Sequence, residues 1–521
     1  MYMTQGIHRS VQTDGDGLAT SFRGRKRTWS QFAGRVARLA GALRALGVRP
    51  GDRVAMLSQN SDRFVEYFYA VFWIGAVATP VNIRWSLTEI LYSLDDCTPS
   101  VLLFEENFID HAAALRQQAK SLTRFIFAGD GVGPDWAEGY ETLIAESEPV
   151  ADCTSGGDAL AMILYTGGTT GFPKGVMISH RSLVCSTLLV AQVAPPDRKA
   201  ITVHTMPMFH IGSTTRVFRA VHFGSALEIL PRFAPELVIE ALAAGIYADI
   251  ALVPTMLGML LDHSDAHGGD ISPIRHLFYG AAPMPEALLR RAMTALPHAS
   301  FYQAYGQTEL SVVTMLEPEF HGIDKARSKL RSAGRALPGV DVKIAAVDGS
   351  ELERCATGEI WVRSPSAMMR YWNRPDTTAE TMIDGWVRTG DAGYMDADGF
   401  LFVVDRVKDM IISGGENIYS VEVENAILKH AAVRECAVIG APDDRLGERV
   451  HAILVLREGH SLTLEQLSAH CAPLVGGYKR PRSLEIRRAS LPLSAAGKVL
   501  KSVLRDEYRA KARRADEASD N

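Results

Sequence analysis

The 521-residue chain is poor in cysteine: six residues, at 97, 153, 185, 355, 436 and 471, with no C-x-x-C pair and no histidine at zinc-site spacing. That scarcity argues against a disulfide framework or a cysteine-built metal site, and it fits a reducing cytoplasm. Long apolar runs are missing too; no stretch reaches about 18 consecutive apolar residues, so no membrane span is expected. Residues 1–17 (MYMTQGIHRSVQTDGDG) lack the apolar core of a signal peptide. Nor does one sign of charge dominate. The 55 Lys and Arg against 60 Asp and Glu leave a formal charge of -5, and no basic block marks a nucleic-acid or anionic-membrane partner. The densest basic cluster before the C-terminal tail, Arg23-Gly24-Arg25-Lys26-Arg27, reads as a solvated loop, because Thr28-Trp29-Ser30 then opens a helical stretch.

What is present is the material of a large globular core: 47% of the residues are apolar, over a length that suggests two to four domains. Through the first 400 or so positions, strand-like apolar runs (53–57, 101–104, 125–128, 159–164) alternate with amphipathic helical ones (31–46, stopped by Gly47, and 63–74). The expected fold class is therefore α/β, with a large multi-layered α/β N-terminal domain over 1–404. Near 405 the composition changes. The charged run Asp405-Arg406-Val407-Lys408-Asp409 is followed by Ser413-Gly414-Gly415-Glu416-Asn417, and then by a helix, two strands and a helix at 421–430, 437–439, 450–456 and 462–472. A small α+β C-terminal domain over 410–510 is expected behind a 405–409 connector, with a polar tail at 511–521 that frays.

Four local patterns carry chemistry. In Tyr165-Thr166-Gly167-Gly168-Thr169-Thr170-Gly171-Phe172-Pro173-Lys174-Gly175, glycines let backbone N–H groups approach phosphate oxygens, hydroxyls add donors and lysine adds charge. It is not a Walker loop, since G-x-x-x-x-G-K-[ST] is unmet and a strand (176–178), not a helix, follows. Tyr302-Gln303-Ala304-Tyr305-Gly306-Gln307-Thr308-Glu309 sets an aromatic, a hydroxyl and a carboxylate around one glycine, fit to stack on a base, touch phosphate and hold Mg²⁺. Trp386-Val387-Arg388-Thr389-Gly390-Asp391, with Arg406 beyond it, offers a carboxylate for ribose hydroxyls and a guanidinium for phosphate. The fourth pattern, Pro492-Leu493-Ser494-Ala495-Ala496-Gly497-Lys498, is by itself no more than a loop with a surface lysine. Taken singly, each of the other three also fits a turn.

Their order and spacing resemble the adenylate-forming superfamily of acyl-CoA synthetases, peptide-synthetase adenylation domains and beetle luciferases. Met206-Pro207-Met208-Phe209-His210, Tyr279-Gly280-Ala281-Ala282-Pro283, Gly358-Glu359-Ile360 and Gly440-Ala441-Pro442-Asp443 add to the match, which runs over nearly the whole chain. The resemblance implies an acid–CoA ligase using ATP, Mg²⁺ and coenzyme A. Thr166, Gly167, Gly168, Thr169, Thr170, Gly171 and Lys174 would hold the β- and γ-phosphates. Tyr305 would stack on adenine, with Gly280, Ala281, Ala282 and Gly306 around it. Thr308 would touch phosphate, and Glu309 would hold the metal. Asp391 would accept from the ribose, with Arg406 nearby. Lys498 would bridge the acid's carboxylate and the α-phosphate.

The same resemblance implies that the C-terminal domain is mobile and turns about Lys408. That turn would bring Gly414 and Gly415 to the pantetheine arm, with His210 gating its tunnel and Lys479, Arg480 and Arg84 near the CoA phosphates. One departure stands in the phosphate loop, where relatives more usually have serine in place of Gly167. For the acid, Gly212 leaves room at the tunnel mouth, and the helical stretch 214–223 carries Arg216, Arg219 and His222 on roughly one face. That face reads either as looking to solvent or another domain, or as meeting a polar group at the acid's far end. The expected acid is a hydrophobic monocarboxylic one: medium-to-long fatty, aryl or alicyclic. A stand-alone ligase that loads a carrier protein is the alternative, since no carrier domain follows Lys498; a luciferase-like oxygenase and a non-enzymatic nucleotide-binding module fit less well. A homodimer is among the options for its assembly.

Overall fold

The computed structural model describes the chain apart from residues 168–172, 198–199, 245–246, 323–328, 415, 444, 494–498 and 520–521, and apart from the side chains of 408, 417 and 512–519. The alternating pattern of the first part folds into two large sheets. In one, of eight strands, Arg53–Leu57, Val77–Pro80, Val101–Phe104 and Arg124–Phe127 run parallel. Leu160–Thr166 joins this parallel set, Lys174–Ser179 turns back antiparallel to it, and Arg370–Tyr371 closes the edge. In the other, of nine strands, Ile201–His204, Ala248–Leu252, Ile274–Gly280 and Ser300–Gln307 run parallel side by side. Ser311–Leu316 then returns antiparallel. In the eight-stranded sheet the parallel strands, such as Val101–Phe104 (VLLF), are close to continuous apolar runs, as strands buried on both faces are. A smaller five-stranded sheet follows, with Gly358–Arg363, Trp386–Met395 and Leu401–Arg406 antiparallel.

The helices begin where the local chemistry says they should. Thr28 and Gln31 form a reciprocal capping box at Trp29–Ala45. The next helix, Asp62–Trp73, is buried at every residue, so its charges need partners inside the protein. Arg25 meets Asp62 at 2.7 Å, Arg35 meets Glu66 at 2.6 Å, and Tyr140 donates to Glu66 at 2.7 Å. This corrects the solvated-loop expectation for residues 23–27 at Arg25, while Arg23, Gly24 and Lys26 are exposed. Arg23 and Gly24 turn a hairpin between Leu18–Phe22 and Arg25–Thr28, and Arg25 is held there by the counter-charge that buried Asp62 demands.

Beyond residue 410 a second unit has its own five-stranded sheet, of Ile411–Ser413, Glu416–Ile418, Val433–Asp443, Gly447–Leu456 and Ser483–Arg487. Helices Ser420–Ile427 and Leu464–Cys471 pack on a cluster that includes Val423, Ile427, Val438, Val450 and Leu467. The tail expected to fray is instead the second half of a helix, Lys501–Ser519. Leu504 is buried at its start, and the rest is rich in Ala, Arg, Lys and Glu, all strong helix formers.

Candidate active site

The candidate residues lie where the three sheets of the first part meet. The strands Leu160–Thr166 and Lys174–Ser179 form a hairpin whose open end carries Thr166, Gly167 and Lys174. Its base is clamped to Asp96: Tyr165 donates to the carboxylate at 2.6 Å, and the Trp372 indole donates to the backbone oxygen at 2.9 Å. Gly167 has open space where a Cβ would stand, whereas a Cβ on Gly175 would lie 2.9 Å from Ile163. The expected phosphate ligands Gly168, Thr169, Thr170 and Gly171 lie outside the described residues.

The second strand pair, Ser300–Gln307 and Ser311–Leu316, slips register between Tyr305 and Gly306. Gly306 is required there, because a Cβ would sit 1.8 Å from the Ser311 oxygen, and Ser311 itself is left-handed at φ 57°. Thr308 and Glu309 fall in the turn between these strands. Beside them, Gly280 ends its strand with no room for a Cβ, 2.1 Å from the Ala304 oxygen. Ala281 follows at φ 62°, a left-handed conformation that costs a non-glycine residue about 1 kcal/mol or more and collects at functional sites.

Two hydrogen-bonded sets join the sheets. Tyr371, on the edge strand of the eight-stranded sheet, donates to the Glu309 carboxylate at 2.7 Å, and the Lys174 ammonium sits 5.0 Å from the Tyr371 ring centre. In the other set, the Tyr305 hydroxyl donates to one oxygen of Asp391 at 2.7 Å, while Arg406 Nε meets the other at 2.7 Å. Burial and the Asp391 charge hold the Tyr305 phenol well above its ordinary range. Burial opposes the charged form of Arg406, but Asp391, Tyr305 and Glu309 outweigh it and its pKa is raised. Each Asp391 oxygen, having accepted one bond, can accept another from a ligand hydroxyl.

His210 is the N-cap residue of the helix Ile211–Phe223 and stacks at a tilt on Phe209, 4.6 Å between centres. Asn60 fixes the approach to that helix, accepting from Met208 N at 2.9 Å and donating to the Met206 oxygen at 3.0 Å. Gly212 is exposed, with open space over it. Arg216 and Arg219 do not look to solvent: their side chains are 11% and 8% exposed. Both pair with Asp249 of the strand Ala248–Leu252, the partner that a buried guanidinium needs.

The remaining candidates stand apart. Gly414 is left-handed at φ 61° and donates to the Leu446 oxygen at 2.8 Å; Gly415 lies outside the described residues. Lys479 is half-buried and paired with Glu422 at 2.7 Å, which leaves it less free for a ligand phosphate than a solvated lysine. Lys408 lies in the short 3-10 turn Val407–Asp409, its side chain outside the described residues. Lys498 is outside them as well. Sequence reasoning passed over Tyr371, Asp96, Asn60 and Asp249, whose only signal is the strand pairing or helix packing that brings them to the site.

Among the described residues no cluster of three or more His, Cys, Asp or Glu could cage a metal. Mg²⁺ takes one or two carboxylates and completes its octahedron with water and substrate phosphates. Glu309, with one oxygen held by Tyr371, presents such a carboxylate.

Residues 7–372 match the AMP-binding enzyme family, and residues 422–498 match the AMP-binding enzyme C-terminal domain. The chain belongs to the AMP-binding enzyme family. It is 36% identical over 484 residues to a feruloyl-CoA synthase of Amycolatopsis sp, covering 92% of this chain and 94% of the relative. It is 34% identical over 490 residues to the fatty acid–[acyl-carrier-protein] ligase ScoC of Streptomyces coeruleorubidus, covering 93% and 92%. The o-succinylbenzoate CoA synthetase MenE of Bacillus subtilis, solved with its acyl-adenylate OSB-AMP, superposes with a TM-score of 0.84 at 30% identity, covering 96% and 97%. This AMP-binding enzyme is an ATP-dependent, AMP-forming acid ligase with a large α/β N-terminal part and a smaller C-terminal one.

Proposed function

We propose that this AMP-binding enzyme is an acid–CoA ligase that works in two steps at the three-sheet junction. In the first, a carboxylate oxygen attacks the α-phosphorus of ATP, the bond to the β-phosphate oxygen breaks, and pyrophosphate leaves an acyl-adenylate. In the second, the CoA thiol sulfur attacks the acyl carbon, the thiol loses its proton, and AMP departs with the mixed-anhydride oxygen. The observation that carries this reading is the junction itself: Lys174, Tyr371 and Glu309 on one side, and Tyr305, Asp391 and Arg406 on the other. It supplies a cation, a metal carboxylate, an aromatic and a ribose acceptor within one hydrogen-bonded frame.

The carboxylate is already ionised at neutral pH, so no general base is required. The obstacle is repulsion between two anions, and the enzyme's part is to place cations where charge accumulates. Lys174 with the Thr166–Gly167 end of the hairpin faces the β- and γ-phosphates, Thr308 adds a hydroxyl, and Lys498 bridges the reacting groups. Mg²⁺ on Glu309 supplies charge neutralisation across the phosphates. For the second step, the part beyond 410 turns about Lys408 within the 405–409 connector, bringing Gly414 and Gly415 to the pantetheine and Arg480 toward the CoA phosphates. The acid is fatty, aryl or alicyclic, lying between the helix Ile211–Phe223 and the nine-stranded sheet. Six free cysteines and the lack, among described residues, of a helix able to span a membrane support work in the cytoplasm; a homodimer is compatible with it.

The test is a screen of pyrophosphate release over a panel of carboxylic acids, with and without CoA. Acyl-CoA formation together with pyrophosphate is the expected result. Pyrophosphate without acyl-CoA would instead assign the acyl group to a carrier protein.

A further inference from the structure

The helix Ile211–Phe223 and the sheet below it descend together from the reaction centre, and charged groups close the space between them. On the sheet, Gly280 stands two residues above Phe278, about 6.6 Å along the strand. Phe278 pairs in register with Tyr302 and Ala251, and Asp249 and His276 form the next row down on the same face. On the helix, Gly212, Arg216 and Arg219 share one face, with Arg216 about 6 Å below the open space at Gly212. The Arg216 guanidinium lies over the Phe278 ring, 4.3 Å from its centre, and Tyr302 stacks on that ring at 4.8 Å.

One carboxylate serves two guanidiniums here. Asp249 takes Arg216 Nη2 on one oxygen and Arg219 Nη1, at 3.3 Å, on the other. Arg219 gives its remaining terminal nitrogen to the Ala194 oxygen, yet its buried Nε has no hydrogen-bond partner. Arg216 donates to Asp249 through Nη2. No second carboxylate makes an ion pair with either arginine among the described residues. Two guanidiniums thus share one carboxylate, and Arg219 Nε is a buried donor left unused, where burying it alone is costly.

We propose that this cluster is a specificity subsite, and that the acid carries a second oxygen acceptor about 7 Å from its reacting carboxyl group. A carboxylate or a ketone supplies the needed lone pairs, and two guanidiniums sharing one carboxylate favour a second carboxylate. The inference rests on the acid-ligase reading and narrows it: it replaces a plain monocarboxylic acid with one bearing a polar far end, and it makes Arg216 the group that reads that end.

The experiment compares kcat/KM for pyrophosphate release with adipate, a keto acid of the same length, and hexanoate. The wild-type enzyme is expected to favour the oxygen-bearing acids by about 10- to 100-fold, the worth of a hydrogen bond to a charged group. The adipate arm should lead if the group read is a carboxylate, and the keto arm if it is a ketone. Arg216→Ala should bring the three acids to within a few-fold of one another, read as the ratios of kcat/KM within the variant. Because the wild-type comparison needs no variant, a misfolded Arg216→Ala does not rescue or sink the idea. Equal rates on all three acids, or equal loss on all three in a folded variant, would overturn the subsite and leave the ligase intact. No pyrophosphate from any acid, including the wider panel, would overturn the ligase reading and this inference with it.

Discussion

At the residue scale, what distinguishes a working side chain from a bystander is what already holds it. Glu309 is steadied by the Tyr371 hydroxyl at 2.7 Å, and partners of this kind commonly change metal affinity by 10- to 100-fold. Tyr371→Phe should accordingly raise the Mg²⁺ concentration for half-maximal pyrophosphate release about tenfold, with the KM for the acid little changed; a Mg²⁺ titration checks this, and an unmoved midpoint would detach Tyr371 from the metal. Lys498→Ala should lower acyl-adenylate formation by about 10²–10³ while CoA still consumes supplied acyl-adenylate; equal loss of both half-reactions would take the lysine out of the first step. Lys498 and Glu309 could be put forward from the sequence because each sits in an ordered block of residue types that resembles the family's. Tyr371 and Asp249 could not, since a tyrosine's or aspartate's partner lies far along the chain (Glu309 and Arg216), and periodicity carries no information about it. Arg25 was misjudged for the same reason: whether a cation is solvated depends on the carboxylate it meets, here Asp62.

At the element scale, the strand and helix pattern of the first part could be read almost directly, because fully buried parallel strands and capped amphipathic helices leave strong periodic signals. Glycines are harder, since the letter alone does not tell whether a position is crowded or merely open. Gly306, near the end of its strand, and Gly167, just past its own, differ completely: 1.8 Å to the Ser311 oxygen for one, nothing within 4 Å for the other. Gly306→Ala should therefore force the Tyr305–Glu309 turn apart, costing about 1–3 kcal/mol in a denaturant melt and most of the adenylation rate. Gly167→Ser should fold normally and keep adenylation at or above the wild-type rate, since the new hydroxyl adds a donor beside the phosphates. A Gly167→Ser enzyme as impaired as Gly306→Ala would mean that the backbone at 167 is itself pressed against the phosphates. The C-terminal tail was read as fraying, just as the strand Arg25–Thr28 was read as part of a loop. Polar residues without an apolar stripe look like a loose tail, but Lys501–Ser519 is anchored by buried Leu504 and by Arg505 on Asp409 at 2.6 Å.

At the scale of the whole molecule, burial sets how the enzyme responds to acid. His180, His204, His321 and His451 are all held below the ordinary histidine value by burial, to about 4, 3, 4 and 4. A folded-state pKa below the unfolded one of about 6.5 means that the unfolded chain binds the extra proton first. Stability from these groups is complete above pH 6.5 or so, and it is lost as pH falls toward 4. Each group can contribute up to about 3 kcal/mol over that window, so urea midpoints should drop steeply between pH 6.5 and 4.5 and stay flat from 7 to 8. His180 has both ring nitrogens buried without a hydrogen-bond partner and packs against Phe72 at 5.4 Å, which makes it the cleanest single test. His180→Phe should lessen the acid slope by about one proton's worth, roughly 1.4 kcal/mol per pH unit, and a slope as steep as wild type would place the acid sensitivity elsewhere.

The same scale holds the link between the two parts of the chain. Asp405 is the penultimate residue of the strand Leu401–Arg406, ahead of Lys408, and accepts from both the backbone N and the hydroxyl of Ser420, which begins the first helix of the C-terminal unit. Lys501 closes the group by donating to Ser420 and pairing with Glu424 at 2.8 Å. Arg505 and Asp409 both lie beyond the proposed pivot and can travel together, whereas Asp405 and Ser420 lie on opposite sides of it. Rotation about Lys408 must therefore break the Asp405–Ser420 bonds. Asp405→Asn weakens a charge-assisted contact worth about 1.5–3 kcal/mol, and so shifts the balance between the two arrangements by about one to two orders of magnitude. The ratio of the half-reaction rates, pyrophosphate exchange against consumption of supplied acyl-adenylate by CoA, should move by a comparable factor, because only one of the two steps runs in the arrangement that this contact favours. If both rates change by the same factor, Asp405 serves the stability of the C-terminal unit and not its rotation.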